Sequence, residues 1–562
     1  MYANGKNLED IQNSLQVGLN QLEEWSNNTG AVFSPSKTEA IHFQRRGKLI
    51  QNPQITIYNN VIEYKESHKF LGVYFDSKLN WKSHITYIKT KCSRNLNIIK
   101  CVSNYRWGGN RKTLLTLYKS LVLSQLDYGS IVIDSGSKSI LQKLDPVHNS
   151  GLRLSIGAFK TSPIYCILCE SGVYSLQYRR NLLTLQYGIK IMSLQDHANY
   201  TLFINSDKLL AQRGVIYKFK TLCNELKIPI EKILKINRIS WNPQWPNPIH
   251  TEMKLVNNYQ KNIVKYKKEL EEIFTIHRNS NIIFTDGSKA NEYTGFGIYY
   301  NDEISQTHRI PKECSIFSAE AYAVETVLHE IKLAEDTQNA ENIVIFTDSL
   351  SVVQSIQSGK ADKSPIIDNI KYLARNINAQ ISIIWIPGHS GIDGNEEADK
   401  AAKEAVDHEI NEKFLIPADD LKALAKNKIK EKWNQEWNNI VNDPRSESVK
   451  RFQKIKKDVS PWATSIRESR REETILTRIR IGHSRLTHGY LMESGQEKNP
   501  PLCNICNEVI TIDHIIFKCK KYEEDRIRNR INQDPIIALG NDDSEIRKLL
   551  KFFKDSKIQH LL

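Results

Sequence analysis

Five residues between Ile282 and Val406 have side chains suited to acting together on a phosphodiester: Asp286, Glu320, Asp348, His389 and Asp399. Asp286 follows the β-branched and aromatic run Ile282–Thr285 and precedes Gly287-Ser288, which predicts a strand with Asp286 at its tip and a turn beyond. Asp348 follows the apolar run Asn342–Phe346, at a second strand tip just before a helix beginning at Leu350. Glu320 comes shortly after Ser318, a suitable N-cap, so it is expected in the first turn of a helix running to about Ala334. Asp399 lies in an alanine-rich helix that opens near Asn395, ten residues after His389 in the loop Pro387–Gly391. Hydrolysis of a phosphodiester needs a water activated near neutral pH and a stabilised leaving oxyanion, and two divalent ions about 4 Å apart supply both. Carboxylate oxygens suit magnesium, and several of them converging without a cation would repel one another. A histidine, with an ordinary pKa of ~6.5, can move protons beside such a site.

Each residue also has an ordinary reading. Asp286 before Gly-Ser is a common turn aspartate, Asp348 a helix cap, and Glu320 and Asp399 solvated helix acids. The joint pattern weighs against that reading. The elements that must position the acids are legible as well: strands at Ile282–Thr285, Thr294–Tyr300, Ile304–Ile310, Asn342–Phe346 and Ile381–Ile386, with helices between and after them.

The motifs Thr-Asp286-Gly-Ser, Ser-Ala-Glu320, Thr-Asp348-Ser, Gly-His389-Ser-Gly and Asn395-Glu-Glu-Ala-Asp399 resemble, one by one and in order, those of the type 1 ribonuclease H family. The resemblance implies a five-stranded mixed sheet with flanking helices and two magnesium ions, for which Mn2+ can substitute, held by Asp286, Glu320, Asp348 and Asp399. It also implies a proton-transfer role for His389 and cleavage of the RNA strand of RNA–DNA hybrids. Between Asp348 and His389 there is room for two helices and a strand but not for the extra basic helix by which some members grip the hybrid, so the grip is expected from elsewhere.

The flanks have the charge for it. The 562-residue chain carries a formal net charge of +14, yet Ile282–Val406 holds ten Lys and Arg against nineteen Asp and Glu, leaving about +23 for the rest. A hydrolytic module that gathers cations beside basic segments that hold phosphates is the functional reading, and solubilising surface is the plain one. Nine cysteines, an odd number, without an N-terminal signal sequence predict a reducing intracellular setting, nucleus or cytoplasm, rather than secretion. No window is apolar enough for a bilayer span, so no membrane partner is expected.

In chain order, Leu8–Trp25 has apolar residues at helical spacing, followed by short strands and by His68–Asp76. Gly-Lys-Asn-Leu, the helix ending in Glu-Glu-Trp, Phe-Ser-Pro-Ser-Lys37-Thr and Lys69-Phe-Leu-Gly72 resemble the C-terminal part of the reverse transcriptase palm in non-LTR retrotransposons of the insect jockey type. On that resemblance residues 1–81 are a palm remnant without the catalytic aspartates, and polymerase activity is expected to be absent. By the same resemblance, carried by Leu144–Asn149 and Gly157–Pro163, residues 82–190 are a helical thumb and connector; there Lys89, Lys91, Arg94, Lys100, Arg106, Arg111, Lys112 and Lys119 interleave with Tyr105, Trp107 and Tyr118, a pattern that can clamp nucleic acid and that on composition alone equally fits a helical bundle with a solvated basic face. Cys166 and Cys169 lack a nearby second pair and read as buried thiols. Residues 191–275 read as a linker, with polar and proline clusters over Asn237–Pro248 and a helix over Glu252–Phe274.

After the nuclease domain, placed at 276–410, a basic helical region covers 411–494. It includes Ala418–Trp437 and the stretch Arg478 to His488, whose arginines are candidates for phosphate contacts. Then Cys503, Cys506, His514 and Cys519 form C-x2-C-x7-H-x4-C, the ligand types and spacing of a small structural zinc site, placed in a knuckle at 495–525 and followed by a tail at 526–562. The expected fold is thus α/β and multidomain. The expected activity is that of an endoribonuclease cleaving the RNA strand of RNA–DNA hybrids, in a truncated retrotransposon polyprotein, with the hybrid and element RNA as nucleic-acid partners and no small-molecule cofactor. A catalytically idle nucleic-acid-binding remnant is the rival.

Overall fold

The computed structural model describes residues 1–5, 7–44, 51–205, 214–236, 247–257, 263–300, 304–334, 342–358, 364–440, 447–492 and 499–562. Most of the polar cluster read at Asn237–Pro248 lies outside them. The chain forms two compact units, one of Met1–Leu183 with Lys430–Leu562 and one of Thr184–Ile429.

The first unit opens with α1 (Leu8–Thr29), capped by the Asn7 side chain, which accepts from the Glu9 amide, and stopped by left-handed Gly30. Leu19 packs on Ile55, Ile57 and Ile62. A hairpin of Ser67–Phe70 and Val73–Asp76 follows. Next come α2 (Lys82–Val102), α3 (Arg111–Tyr118), α4 (Asp145–Ile156) and α5 (Ile164–Ser171). Along α2, Ile85, Ile88, Leu96 and Ile99 are buried while Lys89, Lys91, Arg94 and Lys100 face solvent, the amphipathic division that the spacing predicts.

The second unit is built on one six-stranded mixed sheet. Its strands are β1 (Ile249–Glu252), β2 (Asn281–Lys289), β3 (Thr294–Tyr300), β4 (Ser305–Ile310), β5 (Asn342–Thr347) and β6 (Gln380–Trp385), in the order β4-β3-β2-β5-β6-β1. β2, β3 and β4 pair antiparallel; β2, β5, β6 and β1 pair parallel. Five strands were expected. The sixth, β1, comes from the stretch read as a linker, because Ile249–Glu252 lies along β6 from Ile381 to Ile384 and covers what would otherwise be an open edge. The same stretch supplies α6 (Ile263–Ile276), whose Tyr266 and Ile273 pack on Phe284, Val344, Phe346 and Ile384. Between and after the later strands come α7 (Ile316–Ala334), α8 (Leu350–Gln357), α9 (Pro365–Arg375) and α10 (Asp393–Glu404). The central strand β5 is buried at every position from Ile343 to Thr347, hence its unbroken apolar run. α10 lies so close to β3 that a Cβ added at Gly297 would sit 2.3 Å from the carbonyl oxygen of Ala398.

α11 (Ala418–Asn439) begins in the second unit and ends in the first. The first unit is completed by α12 (Glu447–Ile455), α13 (Arg470–Ile481) and α14 (Asp543–Asp555). Ile475, Leu476 and Ile479 of α13 share one core with Ile512, Ile515 and Ile516 of the cysteine-rich segment and with Phe552 and Phe553 of the C-terminal helix. A charged network joins this part to the early helices. Arg111 donates to Glu170 at 2.8 Å, Trp462 Nε1 donates to the other oxygen of Glu170 at 2.6 Å, and the Arg111 amide donates to Glu473 at 2.6 Å. Arg480, fully buried, lies 3.9 Å from Glu170, and Arg470 donates to the carbonyl of Ser155 at 2.9 Å. Arg478 donates to the carbonyl of Gly157 at 3.0 Å. The expected phosphate contacts of Arg478 and Arg480, and the clamp role of Arg111, are therefore corrected: these guanidiniums are spent inside the fold. Only Arg485 of that motif is exposed.

Candidate active site and zinc site

The register of the sheet creates the site. The last parallel pair between β2 and β5 is Thr285 with Thr347, so the next residues on each strand, Asp286 and Asp348, emerge side by side. β5 ends there, and the Trp385 indole donates to the Asp348 carbonyl at 2.9 Å. β2 does not end: it continues against β3, pairing Asp286 with Gly297 and running to Lys289. Gly287-Ser288 is thus strand rather than the expected turn, and its glycine has another reason. A Cβ at 287 would lie 3.0 Å from Cγ and Cδ of Glu320, so the missing side chain gives that carboxylate its place.

Glu320 is held by α7, which starts at Ile316, two residues before the expected cap. Ser315 caps the helix, its Oγ accepting from the Ser318 amide at 3.2 Å, and Glu320 falls in the second turn. Asp399 likewise sits in the second turn of α10, which begins at Asp393. Carboxylate oxygens of Asp286, Glu320 and Asp348 all lie within 4.8 Å of one another, and His389, Glu396 and Asp399 form a second group by the same measure. Lys403 reaches Asp399 at 2.5 Å. Glu396 had no separate role in the motif; its position three residues before Asp399, on the same helical face, was the available signal. His389 is exposed, in a left-handed conformation with φ 51°, and a Cβ at neighbouring Gly388 would lie 2.4 Å from Asp348 Oδ2.

Crowding buried carboxyls changes their acidity. Burial, followed by repulsion from Asp348 and Asp399, pushes Asp286 up to about 8. Burial and the charges of Asp286 and Asp348 push Glu320 well above the ordinary range. Asp348 is raised too, chiefly by burial, with His389 pulling the other way. Oε2 of Glu320 is buried without a hydrogen-bond donor. An oxygen-lined pocket with an orphaned acceptor and mutually repelling acids fits a divalent cation.

The second cluster brings together all four residues read as zinc ligands. Cys503, Cys506, His514 and Cys519 lie with ligand atoms within 4.8 Å of one another, and the Sγ of Cys519 is 3.7 Å from Cys503 and 4.0 Å from Cys506. Amides of Cys506 and Ile505, with His514, lower the Cys503 thiol to about 6. His514 donates from Nδ1 to Glu508 at 3.0 Å, while its Nε2 is buried without a partner. A carboxylate that fixes the tautomer and leaves the other nitrogen free is the usual support of a zinc-binding imidazole, so the set fits zinc. Cys166 and Cys169 are buried thiols, as read, and burial raises both.

Comparison with known proteins agrees with this geometry. Residues 278–407 match the RNase H family, so the second unit contains a ribonuclease H domain, a class that binds nucleic acid. More particularly, the chain is homologous to the polyproteins of R1- and jockey-type non-LTR retrotransposons. It is 26% identical over 114 residues to the Retrovirus-related Pol polyprotein from type-1 retrotransposable element R1 of Bradysia coprophila, covering 20% of this chain and 11% of that protein. It is 26% identical over 157 residues to the RNA-directed DNA polymerase from mobile element jockey of Drosophila melanogaster, covering 27% and 16%. With human Ribonuclease H1 it shares 27% identity over 143 residues, 22% of this chain and 49% of that protein. The match thus spans about half the length of the human enzyme and far less of these two polyproteins. Among the described residues no helix is long and apolar enough to cross a membrane.

Proposed function

We propose that the second unit is a type 1 ribonuclease H that cleaves the RNA strand of RNA–DNA hybrids with two divalent ions. The observation that carries the reading is the alignment of Asp286 and Asp348 just past the Thr285–Thr347 pair, with Glu320 against them. Asp286, Glu320, Asp348 and Asp399 would hold magnesium, which when bound supplies an activated water and charge stabilisation for the leaving oxygen. His389, exposed on its loop, would take or give a proton at the edge of the site and help the product leave. Cys503, Cys506, His514 and Cys519 would hold a structural zinc. Against the idle remnant stands the energetic character of the cluster: buried acids that raise one another's pKa destabilise a metal-free fold, and such groups gather where function requires them.

The test is the purified chain with a labelled RNA–DNA hybrid, with and without Mg2+. Cleavage of the RNA strand is expected only with the metal. Asp348→Asn should abolish it while hybrid binding stays near that of the native protein, since one metal-holding charge is lost without a change of shape. Cleavage within a few-fold of native would remove Asp348 from the site, and cleavage of neither strand under any divalent ion would leave the idle-remnant reading in possession.

A further inference from the structure

The ribonuclease H match ends at residue 407, but the chain does not leave the domain there. It runs back across the β3–β4 hairpin and along the start of α7. The Asn411 amide donates to the carbonyl of Arg309 at 2.8 Å. Phe414 sets its ring against Phe296 at 5.3 Å and Tyr322 at 5.0 Å between centroids. The Tyr322 hydroxyl donates to the carbonyl of Leu415 at 2.6 Å, and Ile416, fully buried, pairs with Ile233. Asp420 then closes on the first turn of α7: its Oδ2 accepts from the Ser315 amide at 2.8 Å and from the Ser318 hydroxyl at 2.7 Å.

These contacts fall on both sides of one residue. Ser315 and Ser318 precede Glu320 and Tyr322 follows it, so the segment grips α7 on the turn before the carboxylate and again two residues after it. Glu320 is buried, with its Cγ and Cδ where a Cβ at Gly287 would stand 3.0 Å away, and so its position follows that of the helix. We propose that residues 411–420 are a strap that positions Glu320 for metal binding, with Asp420 as its principal positioning residue. Asp420 acts from a distance: it touches neither substrate nor metal, and it fixes the helix by satisfying a free amide and a hydroxyl at the N-terminus, where a negative charge also suits the helix dipole.

The inference rests on the proposed nuclease reading, and the experiment separates the two. Mn2+ binding to the full chain is followed by titration calorimetry alongside Mg2+-dependent hybrid cleavage, for the native protein and for Asp420→Ala, Asp420→Asn and Tyr322→Phe. Asp420→Ala is expected to weaken Mn2+ binding about tenfold, the scale on which residues behind metal ligands act. Asp420→Asn keeps an oxygen for the Ser315 amide and should recover most of the loss. Tyr322→Phe removes only the bond to Leu415 and should shift affinity the same way by less. The cleavage curves should move to higher Mg2+ in the same order. If Asp420→Ala does not fold, Tyr322→Phe and Asp420→Asn carry the test. Any folded Asp420→Ala, or failing that a folded Tyr322→Phe, with native Mn2+ affinity overturns the strap. A native protein that binds Mn2+ but cleaves no hybrid overturns the nuclease reading instead.

Discussion

Replacing Asp286 by Asn should make the metal-free protein more stable while destroying the activity proposed for it. Folding takes the Asp286 carboxyl from its ordinary 3.8 to about 8. A carboxyl raised in this way binds its proton more tightly folded than unfolded, so its contribution to stability is greatest below the unfolded value and is lost as pH rises through the folded one, here between about pH 4 and pH 8. At pH 7 the penalty spans about three pH units at about 1.4 kcal/mol each, a ceiling of ~4 kcal/mol. Glu320 and Asp348 share the same protons, and a neutral neighbour relaxes them as well, so a net gain of about 1–3 kcal/mol is expected. For a unit of this size that raises the melting temperature by roughly 3–10 °C. Scanning calorimetry in EDTA from pH 4.5 to 8.5 is the assay. The native transition of the nuclease unit should fall with rising pH, Asp286→Asn should flatten that fall, and Mg2+ should raise the native transition but not that of the variant. A variant that melts at or below the native protein at pH 7, with the same pH slope, would refute the account of mutually repelling buried acids.

His389→Ala should be milder than Asp348→Asn, lowering the cleavage rate by about 10²–10⁴-fold and leaving Mn2+ affinity unchanged, as single-turnover kinetics would show. Chelating zinc should lower the melting temperature of the first unit and spare the second, because Ile512, Ile515 and Ile516 belong to the core built on α13; unchanged calorimetric traces after loss of zinc by mass spectrometry would count against it. Glu170→Gln takes a carboxylate away from the buried Arg111 and Arg480 and should cost about 3–5 kcal/mol in denaturant unfolding. If the exposed face of α2 holds phosphates, replacing Lys89, Lys91 and Arg94 together by Ala in an Asp348→Asn background should reduce the log–log salt slope of hybrid binding by about 2–3, read by fluorescence anisotropy; an unchanged slope would make that face solubilising surface.

Much of the site could be read from the sequence because the acids are tied to strong local signals. Asp348 follows an apolar run buried throughout, and the elements from β2 to α10 appear in the expected order. The strand was expected to stop at Asp286, with a turn at Gly287-Ser288, since Gly-Ser has the composition of a turn and nothing local shows that β3 supplies partners as far as Lys289. β1 was missed for a related reason: Ile249-His250-Thr251-Glu252 is short and mostly polar, and only the edge of β6 makes it a strand. The arginines of α13 read as surface because arginine usually is surface. Their partners lie far away in the chain, Arg480 facing Glu170 and Arg478 facing Gly157, and no spacing rule reaches so far.

The pairing of α13 with the early helices also dictates an order of assembly. The Arg111 amide and Glu473 are 362 positions apart, and the whole continuous nuclease unit lies between them. As the chain leaves the ribosome at about 5–20 residues per second, Thr184–Ile429 is complete while Glu170 and Arg111 still lack Arg480 and Trp462. For tens of seconds the early helices must therefore hold the buried Glu170–Arg111 pair without Trp462 and Arg480, or stay open. A nick between the two units would not free the early helices from the C-terminal ones, which hold each other without a peptide bond, whereas a ribosome that stalls before residue 473 would release a finished ribonuclease H domain with the first unit unfinished.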